Sequence, residues 1–559
     1  MNSNRRLRES KAGFRAVLRR LRALARPPVT ITEPPPEITF DRDRTVPMRD
    51  GTTLRVNVFR PPEEGTFPVL MCAHPYGKDA LPTPGHPLFT YRIMYQTEPI
   101  THSAWTGWEG PDPAFWVPRG YVVVNADLRG FGTSDGVGNL LTQAEGRDYY
   151  DLIEWAAREP WSNGRVGLNG VSYLAISQWR AASLRPPSLA AICPWEGFTD
   201  LYEDFAQPGG IREDGFFRLW SGALHKRCPV IDLRKEQLRR ANRDEWWQSL
   251  VPDLASIDVP ALVCASFSDH NLHTGGSFRG FAQIASGQKW LYTHRAPKWA
   301  TYYSPDALAT QVAFFDHFLN GTNNGFASKA PVRVEVRDTR EHVHRIIETT
   351  SWPPPEVVPL TLYLRGDGTL ATSRDALSHE ATFELRRGRL TYTWKAPDDL
   401  ELIGPMTLRL TLDVDGTGDP SLFVGVRKFA NQNEVPFEGS YGFPRDMVTN
   451  GWRRVAYRNT GSEHRASPWD VPVSFDEPHL LDPRKPVSIE ISLPPSATLF
   501  RRGEILRLDI QGRWFRSFNP FLGQFPARYK RSLGGTCRLH VGGDNASALI
   551  VPHYAPAPA

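Results

Sequence analysis

Near residue 328 the spacing of apolar residues changes period, and that change restricts the chain to a small set of architectures. Before it, apolar runs of buried-strand length ("FPVLMCAHPYG", "GYVVVNADLRGFG", "LAAICPWEG", "PALVCASFSDH", "KWLYTHRAP") alternate with helical segments. In "AEGRDYYDLIEWAAREPW", Tyr149, Leu152, Ile153, Trp155 and Ala156 recur at helical spacing. Buried strands alternating with helices predict an α/β domain whose sheet is mostly parallel and whose functional residues lie at the strands' C-terminal ends. After it, strands of alternating polarity ("VRVEVRD", "LTLYLRGDG", "MTLRLTLDVDG", "LRLDIQGRW") follow one another with no helix between them. These predict a β-sandwich of jelly-roll type. The expected domains are therefore a basic amphipathic helix and proline-rich linker over 1–37, a catalytic α/β domain over 38–327 and a sandwich over 328–559. Residues 198–250, rich in Trp, Phe and charge, break the α/β alternation and predict an inserted helical lid.

Composition narrows the function classes. The net charge of +5 is carried by the first 30 residues, which hold nine Arg or Lys and one acid, so the remaining body sums to −3. A body without basic bias argues against a nucleic-acid partner. Cys72, Cys193, Cys228, Cys264 and Cys537 are far apart and odd in number, which predicts buried free thiols in a reducing, cytoplasmic setting. No C-x-x-C pair and no helical H-x-x-x-H pair suggests a metal, and no cofactor motif stands out. Residues 5–26 place Phe14, Val17, Leu18, Leu21 and Leu24 opposite Arg15, Arg19, Arg22 and Arg26, ahead of Pro27-Pro28. Three readings stay open for this segment: a helix packed on the body or a second subunit, a membrane-surface anchor, or a targeting segment. No apolar run is long enough to cross a membrane.

The chemistry gathers at "GLNGVSYLAISQW". Ser172 follows a short strand and precedes a helix, the setting in which a serine hydroxyl is exposed to a carbonyl and the helix N-terminus faces the developing oxyanion. The alternative is a serine in a buried turn. Leu174 stands where the G-x-S-x-G signature has its second glycine. In this fold class the nucleophile is followed by an acid and then a histidine. Asp269, after "PALVCASFS", is the expected acid, although a turn or cap aspartate would look the same. His294, after "KWLYT", is the expected general base. His270 and His273 lie too close to Asp269 to come from a separate strand end, and read as loop or pocket residues. Asp127 and Asp135 precede the serine, and "DLRGFGTSDG" reads as a structural turn with Arg129 as an ion-pair partner.

"IEWAAREPWSNGRVGLNGVSYLAISQW" resembles the nucleophile region of the acyl-esterase family that groups cocaine esterase, α-amino-acid ester hydrolases and X-prolyl dipeptidyl-peptidases. "FPVLMCAHPYGK", "ADLRGFGTSDG" and "QVAFFDHFLNGTNNG" agree in order, and the C-terminal strands are similar to that family's jelly roll. The resemblance implies an α/β-hydrolase domain with a lid, a Ser172–His294–Asp269 triad and no cofactor. It also implies an oxyanion hole made by the Tyr76 hydroxyl and the Tyr173 N–H. "YTHRAPKW" departs from the family's Gly-Pro-Trp-Ser-His loop, and Ala175 and His74 replace a glycine and an arginine common there.

The expected activity is hydrolysis of a small-molecule carboxylic ester through an acyl-enzyme. An X-prolyl dipeptidyl-peptidase and an α-amino-acid ester hydrolase are the enzymatic alternatives. A catalytically inactive protein that binds through its jelly roll is the alternative from another class. Trp195, Glu196, Phe198, Phe217 and Trp220 are the candidate substrate-lining residues, with lid or core packing as the competing reading. Recognition of a substrate ammonium would need carboxylates, for which Glu196, Asp200, Glu203 and Asp204 are candidates.

Overall fold

The computed structural model describes residues 18, 21–23, 25–83, 98–228, 231–443, 445–458, 469, 471–515, 527–545 and 547–556. Most of the basic segment 5–26 lies outside them. Among the described residues the catalytic sheet holds β1 (Thr39–Pro47), β2 (Thr53–Arg60), β3 (Phe67–His74), β4 (Val122–Asp127), β5 (Ser162–Val171), β6 (Leu189–Trp195), β7 (Ala261–Ser266), β8 (Lys289–His294) and β9 (Val332–Arg337), with Val343–Thr349 paired antiparallel to β9. Their spatial order is β1-β2-β4-β3-β5-β6-β7-β8-β9; the first two pairings are antiparallel and the rest parallel. The β1–β2 hairpin turns at Asp50-Gly51, where Gly51 takes φ 84°. Every residue of β4 and β7 is buried, as expected of central strands covered on both faces.

Helices cover both faces. The ones used below are α1 (Gln143–Arg158), α2 (Tyr173–Ser183), α3 (Phe216–Arg227), α4 (Leu233–Arg239), α5 (Glu245–Ser249), α6 (Thr274–Gln283), α7 (Lys298–Tyr302) and α8 (Pro305–Asn320). Sequence sets their ends. Thr142 caps α1 by accepting from the Glu145 N–H, and Ser304 caps α8 with Pro305 in its first turn and Gly321 (φ 68°) at its end. Helices α3, α4 and α5 fall between β6 and β7, inside the expected lid.

Beyond β9 the described residues form strands and connecting loops, with one short 3-10 turn at Val455–Tyr457. Arg389–Lys395, Ile505–Gln511, Ser421–Ala430 and Thr449–Arg454 make one sheet. Val357–Leu364, Ala548–Tyr554, Leu400–Asp415, Thr536–Val541 and His379–Glu384 pair antiparallel in the other, with Val487–Phe500 alongside Leu400–Asp415. Leu408, Leu410, Ile491, Val424 and Leu508 fill the core between them. The catalytic sheet runs past residue 328, because β9 pairs with β8 through Leu291–Val332 and Tyr292–Arg333. Arg295 ties the domains together. Its buried guanidinium donates to the carbonyls of Val448 (3.1 Å) and Met447 and lies 4.2 Å over the Phe437 ring.

Candidate active site

The serine loop is built by steric necessity. Ser172 follows the last residue of β5 at φ 59° and ψ −116°, a conformation costly for a residue with a Cβ, and α2 starts at the next residue. Its N–H donates to the Trp195 carbonyl (3.0 Å), which fixes the turn against β6. A Cβ on Gly170 (φ 151°) would stand 2.5 Å from the Leu174 Cβ, and one on Gly197 would stand 2.8 Å from the Ala175 Cβ. Glycine at both positions lets α2 start directly above the sheet.

The imidazole beside Ser172 belongs to His273. Its Nε2 is 3.0 Å from Ser172 Oγ. The expectation that His294 meets the serine is corrected. His294 is the last residue of β8, and its Nε2 is 2.9 Å from Glu196 Oε1 while its Nδ1 faces Thr301 Oγ1 and the Ala296 N–H. The loop after β7 explains the exchange. The Asp269 carbonyl accepts the N–H groups of Leu272, His273 and Thr274, so the chain coils back on Asp269 and brings His273 round to the serine. Closeness in sequence to Asp269, which argued against His273, is what this tight coil produces.

Asp269 is equally displaced from its expected contact. Its Oδ2 lies 2.9 Å from Lys298 Nζ, both groups being fully buried, and the Lys298 ammonium also donates to the Tyr441 hydroxyl at 3.3 Å. The Nδ1 of His273 instead accepts the Phe198 N–H at 3.2 Å. A ring nitrogen that accepts carries no proton, so the neutral imidazole holds its proton on Nε2 and donates toward Ser172. Burial, reinforced by the Lys298 charge, pushes His273 well below the ordinary histidine range, so the ring is neutral at physiological pH. Burial raises Asp269 to about 6 against the pull of Lys298. Although burial disfavours the Lys298 ammonium, Asp269, Glu196 and Glu109 hold it above its ordinary value.

Several members of this cluster left little mark in the sequence. Glu109, at φ 65°, receives the Trp299 indole N–H on Oε1 (3.0 Å), and its carbonyl accepts the Val171 N–H beside Ser172. Burial lifts its carboxyl to about 8. Ser440 and Tyr441 come from the C-terminal sandwich: the Ser440 hydroxyl donates to Glu196 (3.0 Å) and its carbonyl accepts the Lys298 N–H. Lys298 could have been noticed in "YTHRAPKW", the segment that departs from the family loop; nothing in the sequence marks a loop so far away as Ser440-Tyr441.

The other expected residues divide. Tyr76 packs edge-on against Tyr173, ring centroids 6.2 Å apart, and burial pushes its phenol above the ordinary range, so it stays a donor. Tyr173 opens α2, and its side chain turns away to donate to Glu145 (2.6 Å). Phe198 stacks on His273 at 5.8 Å, and Trp220 lies 6.3 Å from Tyr173. Trp195 and Phe217 are corrected to core residues. Neither has exposed surface; Trp195 packs on Tyr292 and Tyr302, and Phe217 packs on Phe205 within the lid. Glu196 is buried at φ 53° and engaged by His294 and Ser440. Arg129 pairs with Asp148 (2.6 Å) and Asp50 (2.8 Å), and Asp127 accepts the Lys78 and Thr133 N–H groups, as a structural turn would require. Among the described residues no group of three or more His, Cys, Asp or Glu side chains could hold a metal, and all five cysteines are free and buried.

Comparison with known proteins matches this architecture along its length. The X-Pro dipeptidyl-peptidase (S15 family) matches residues 50–229, and the X-Pro dipeptidyl-peptidase C-terminal non-catalytic domain matches residues 324–550. The crystal structure of a CocE/NonD family hydrolase from Staphylococcus aureus is 36% identical, with a TM-score of 0.87 over 92% of this chain and 94% of that one. Cocaine esterase of Rhodococcus sp. (strain MB1 Bresler) is 27% identical over 421 residues, 64% of this chain and 68% of that protein. An α-amino acid ester hydrolase, 18% identical with a TM-score of 0.69 over 92% of this chain and 97% of that one, shares the fold. The matched stretch spans only about half of the relatives named as candidate Xaa-Pro dipeptidyl-peptidases, 41% to 56% of each. From the strained serine loop through the C-terminal sandwich, then, this chain belongs to the CocE/NonD hydrolases, within the wider family of serine-hydrolase-type esterases and X-Pro peptidases.

Proposed function

We propose that this hydrolase cleaves carboxylic esters with an uncharged acyl group, that Ser172 is its nucleophile, and that His273 exchanges the proton with it. The observation carrying the reading is the forced backbone of Ser172 with its Oγ 3.0 Å from His273 Nε2. Ser172 Oγ bonds to the ester carbonyl carbon while the ester C–O bond breaks. The alcohol leaves with the proton taken from Ser172, and water then cleaves the acyl-enzyme to give the acid. The Tyr173 N–H at the start of α2 and the Tyr76 hydroxyl are the donors for the oxyanion. Accepting the serine proton requires the imidazole's own proton on Nδ1, so the Phe198 N–H contact opens when substrate binds. Asp269 acts through its carbonyl, which gathers the His273 turn, and through its pairing with Lys298.

The restriction to uncharged acyl groups rests on the carboxylates. An α-amino ester or an Xaa-Pro peptide brings an ammonium that needs an unpaired acid. Asp200 is held by Arg243 (2.7 Å) and Asp204 by Arg279 (2.9 Å), while Glu203 lies 3.7 Å from both arginines. Glu196 and Asp269 are engaged as described, and Glu109 keeps its proton up to about pH 8.

The test compares Ser172→Ala, His273→Ala and His294→Ala for fluorophosphonate labelling and for hydrolysis of p-nitrophenyl butyrate, an α-amino ester and an Xaa-Pro anilide. Butyrate hydrolysis and labelling should vanish in Ser172→Ala and fall at least about 100-fold in His273→Ala, within the range general-base removal costs. The amino ester and the anilide should be poor substrates of the native enzyme. Labelling that survives in His273→Ala but is lost in His294→Ala would return the base to His294.

A further inference from the structure

Away from Ser172, a cavity of about 930 Å³ separates the catalytic domain from the sandwich. The Asp200–Asp204 turn, Arg243 and Arg279 bound it on the catalytic side; Trp452, Arg453 and Phe475 bound it on the other. Its charged walls are mostly closed. Arg243 is bound by Asp200, and Arg279 makes two hydrogen bonds to Asp204 (2.9 and 3.0 Å). Asp204 also accepts the N–H groups of Thr199 and Asp200.

Arg453 is different. It is only 5% exposed; among the described residues its side chain makes one hydrogen bond, a long one to the Tyr457 carbonyl (3.4 Å), and its Nε has no partner, while the guanidinium lies 5.5 Å from the Phe475 ring centroid. Among the described residues no carboxylate comes within ion-pair distance of it; Glu203 and Glu490 act on it only from further away. Burial brings its pKa down to about 10, which leaves it charged at neutrality. An uncompensated guanidinium out of water is costly, and a wall of a roomy cavity is where a ligand can compensate it.

We propose that this cavity binds a small organic monocarboxylate, its carboxylate on Arg453 and its apolar body against Trp452 and Phe475. Guanidinium and carboxylate match as a two-pronged hydrogen-bonded pair. Arg243 and Arg279 are taken up by Asp200 and Asp204, with Glu203 near both, so Arg453 supplies a single positive charge to a ligand, which matches a monoanion and not a phosphate dianion. The ligand class is that of the acid product in the proposed reaction, and in this respect the inference rests on that reading. The same stretch of chain serves both places: His273 faces Ser172 while Leu272, Gly275 and Arg279 line the cavity.

The test uses Ser172→Ala protein, so that binding is measured without turnover, with benzoate, benzamide and inorganic phosphate as probes in titration calorimetry. Benzoate should bind saturably at one site and raise the melting temperature; benzamide and phosphate should not. Arg453→Gln should weaken benzoate at least about 10-fold, the loss expected of a charged hydrogen-bonded pair. Arg453→Lys, which keeps the charge, covers the case in which the glutamine variant does not fold, and should bind more weakly than arginine but still prefer benzoate to benzamide. Equal response to benzoate and benzamide, phosphate binding in place of benzoate, or unchanged affinity in a folded Arg453 variant would each overturn the site. Because Ser172 is absent, these results stand apart from success or failure of the esterase reading.

Discussion

A serine at φ 59° holds about 1–3 kcal/mol of backbone strain that the surrounding fold must offset. Near it, the carboxyl groups of Glu109, Asp269 and Glu145 are all raised by burial, to about 8, 6 and 7. A carboxyl raised in the native state keeps a proton that the unfolded chain has already released. Its contribution is complete below the ordinary carboxylate range and is lost as pH rises through the folded value. For Glu109 the window runs from about 4.5 to about 8. Stability should therefore fall across that window, and Glu109→Gln, which keeps an acceptor for the Trp299 indole, should flatten the fall. Urea midpoints at pH 5 and pH 8.5 check this: the variant should gain on the native protein at the higher pH. An identical slope in both proteins would mean that Glu109 is not the proton holder.

At the scale of elements, the site depends on how closely α2 sits on the ends of β5 and β6. Gly197→Ala would set a Cβ 2.8 Å from the Ala175 Cβ and 3.0 Å from the Ile176 nitrogen. Backbone is in the way, so α2 must lift. The expected cost is about 1–3 kcal/mol, together with slower phosphonate labelling as Ser172 shifts from His273; unchanged melting and labelling would show that the helix has room. These elements were largely legible in advance. Unbroken apolar runs gave the parallel strands, Gly170-Val171-Ser172 gave the strand–turn–helix, and alternation after 328 gave the sandwich, because such patterns follow from periods of 2 and 3.6 residues. What was not legible depends on side-chain direction within loops. Strand periodicity does not report that the Asp269 carbonyl would gather three N–H groups and turn His273 inward, or that the ring of His294 would face Glu196. Trp195 and Phe217 were misplaced for a related reason: an aromatic at a strand end or in a lid packs inward or lines a pocket according to tertiary contacts absent from its local sequence.

On the scale of the whole molecule, the catalytic sheet meets the sandwich where β9 pairs with Val487–Phe500 through Arg337–Thr498, and the two also share a buried guanidinium at Arg295. Arg295→Met should keep the volume but leave the Val448 and Met447 carbonyls without their donor and Asp446 without its 3.4 Å partner. Removing one partner from such a buried set typically costs about 3–5 kcal/mol. Calorimetric melting should show a lower transition temperature and, as the domains part, a split into two transitions; a single transition at the native temperature would show that β9 alone couples them.

Ser440 and Tyr441 also give the enzyme a schedule. Ser172 leaves the ribosome long before the loop that meets Glu196 and Lys298. Until that loop arrives, the Lys298 ammonium lacks the Tyr441 hydroxyl and Glu196 lacks the Ser440 hydroxyl. The polar cluster of Glu196 and Lys298 is therefore completed only when the C-terminal domain is in place, and a chain cut short of residue 440 carries Ser172 without two members of that cluster.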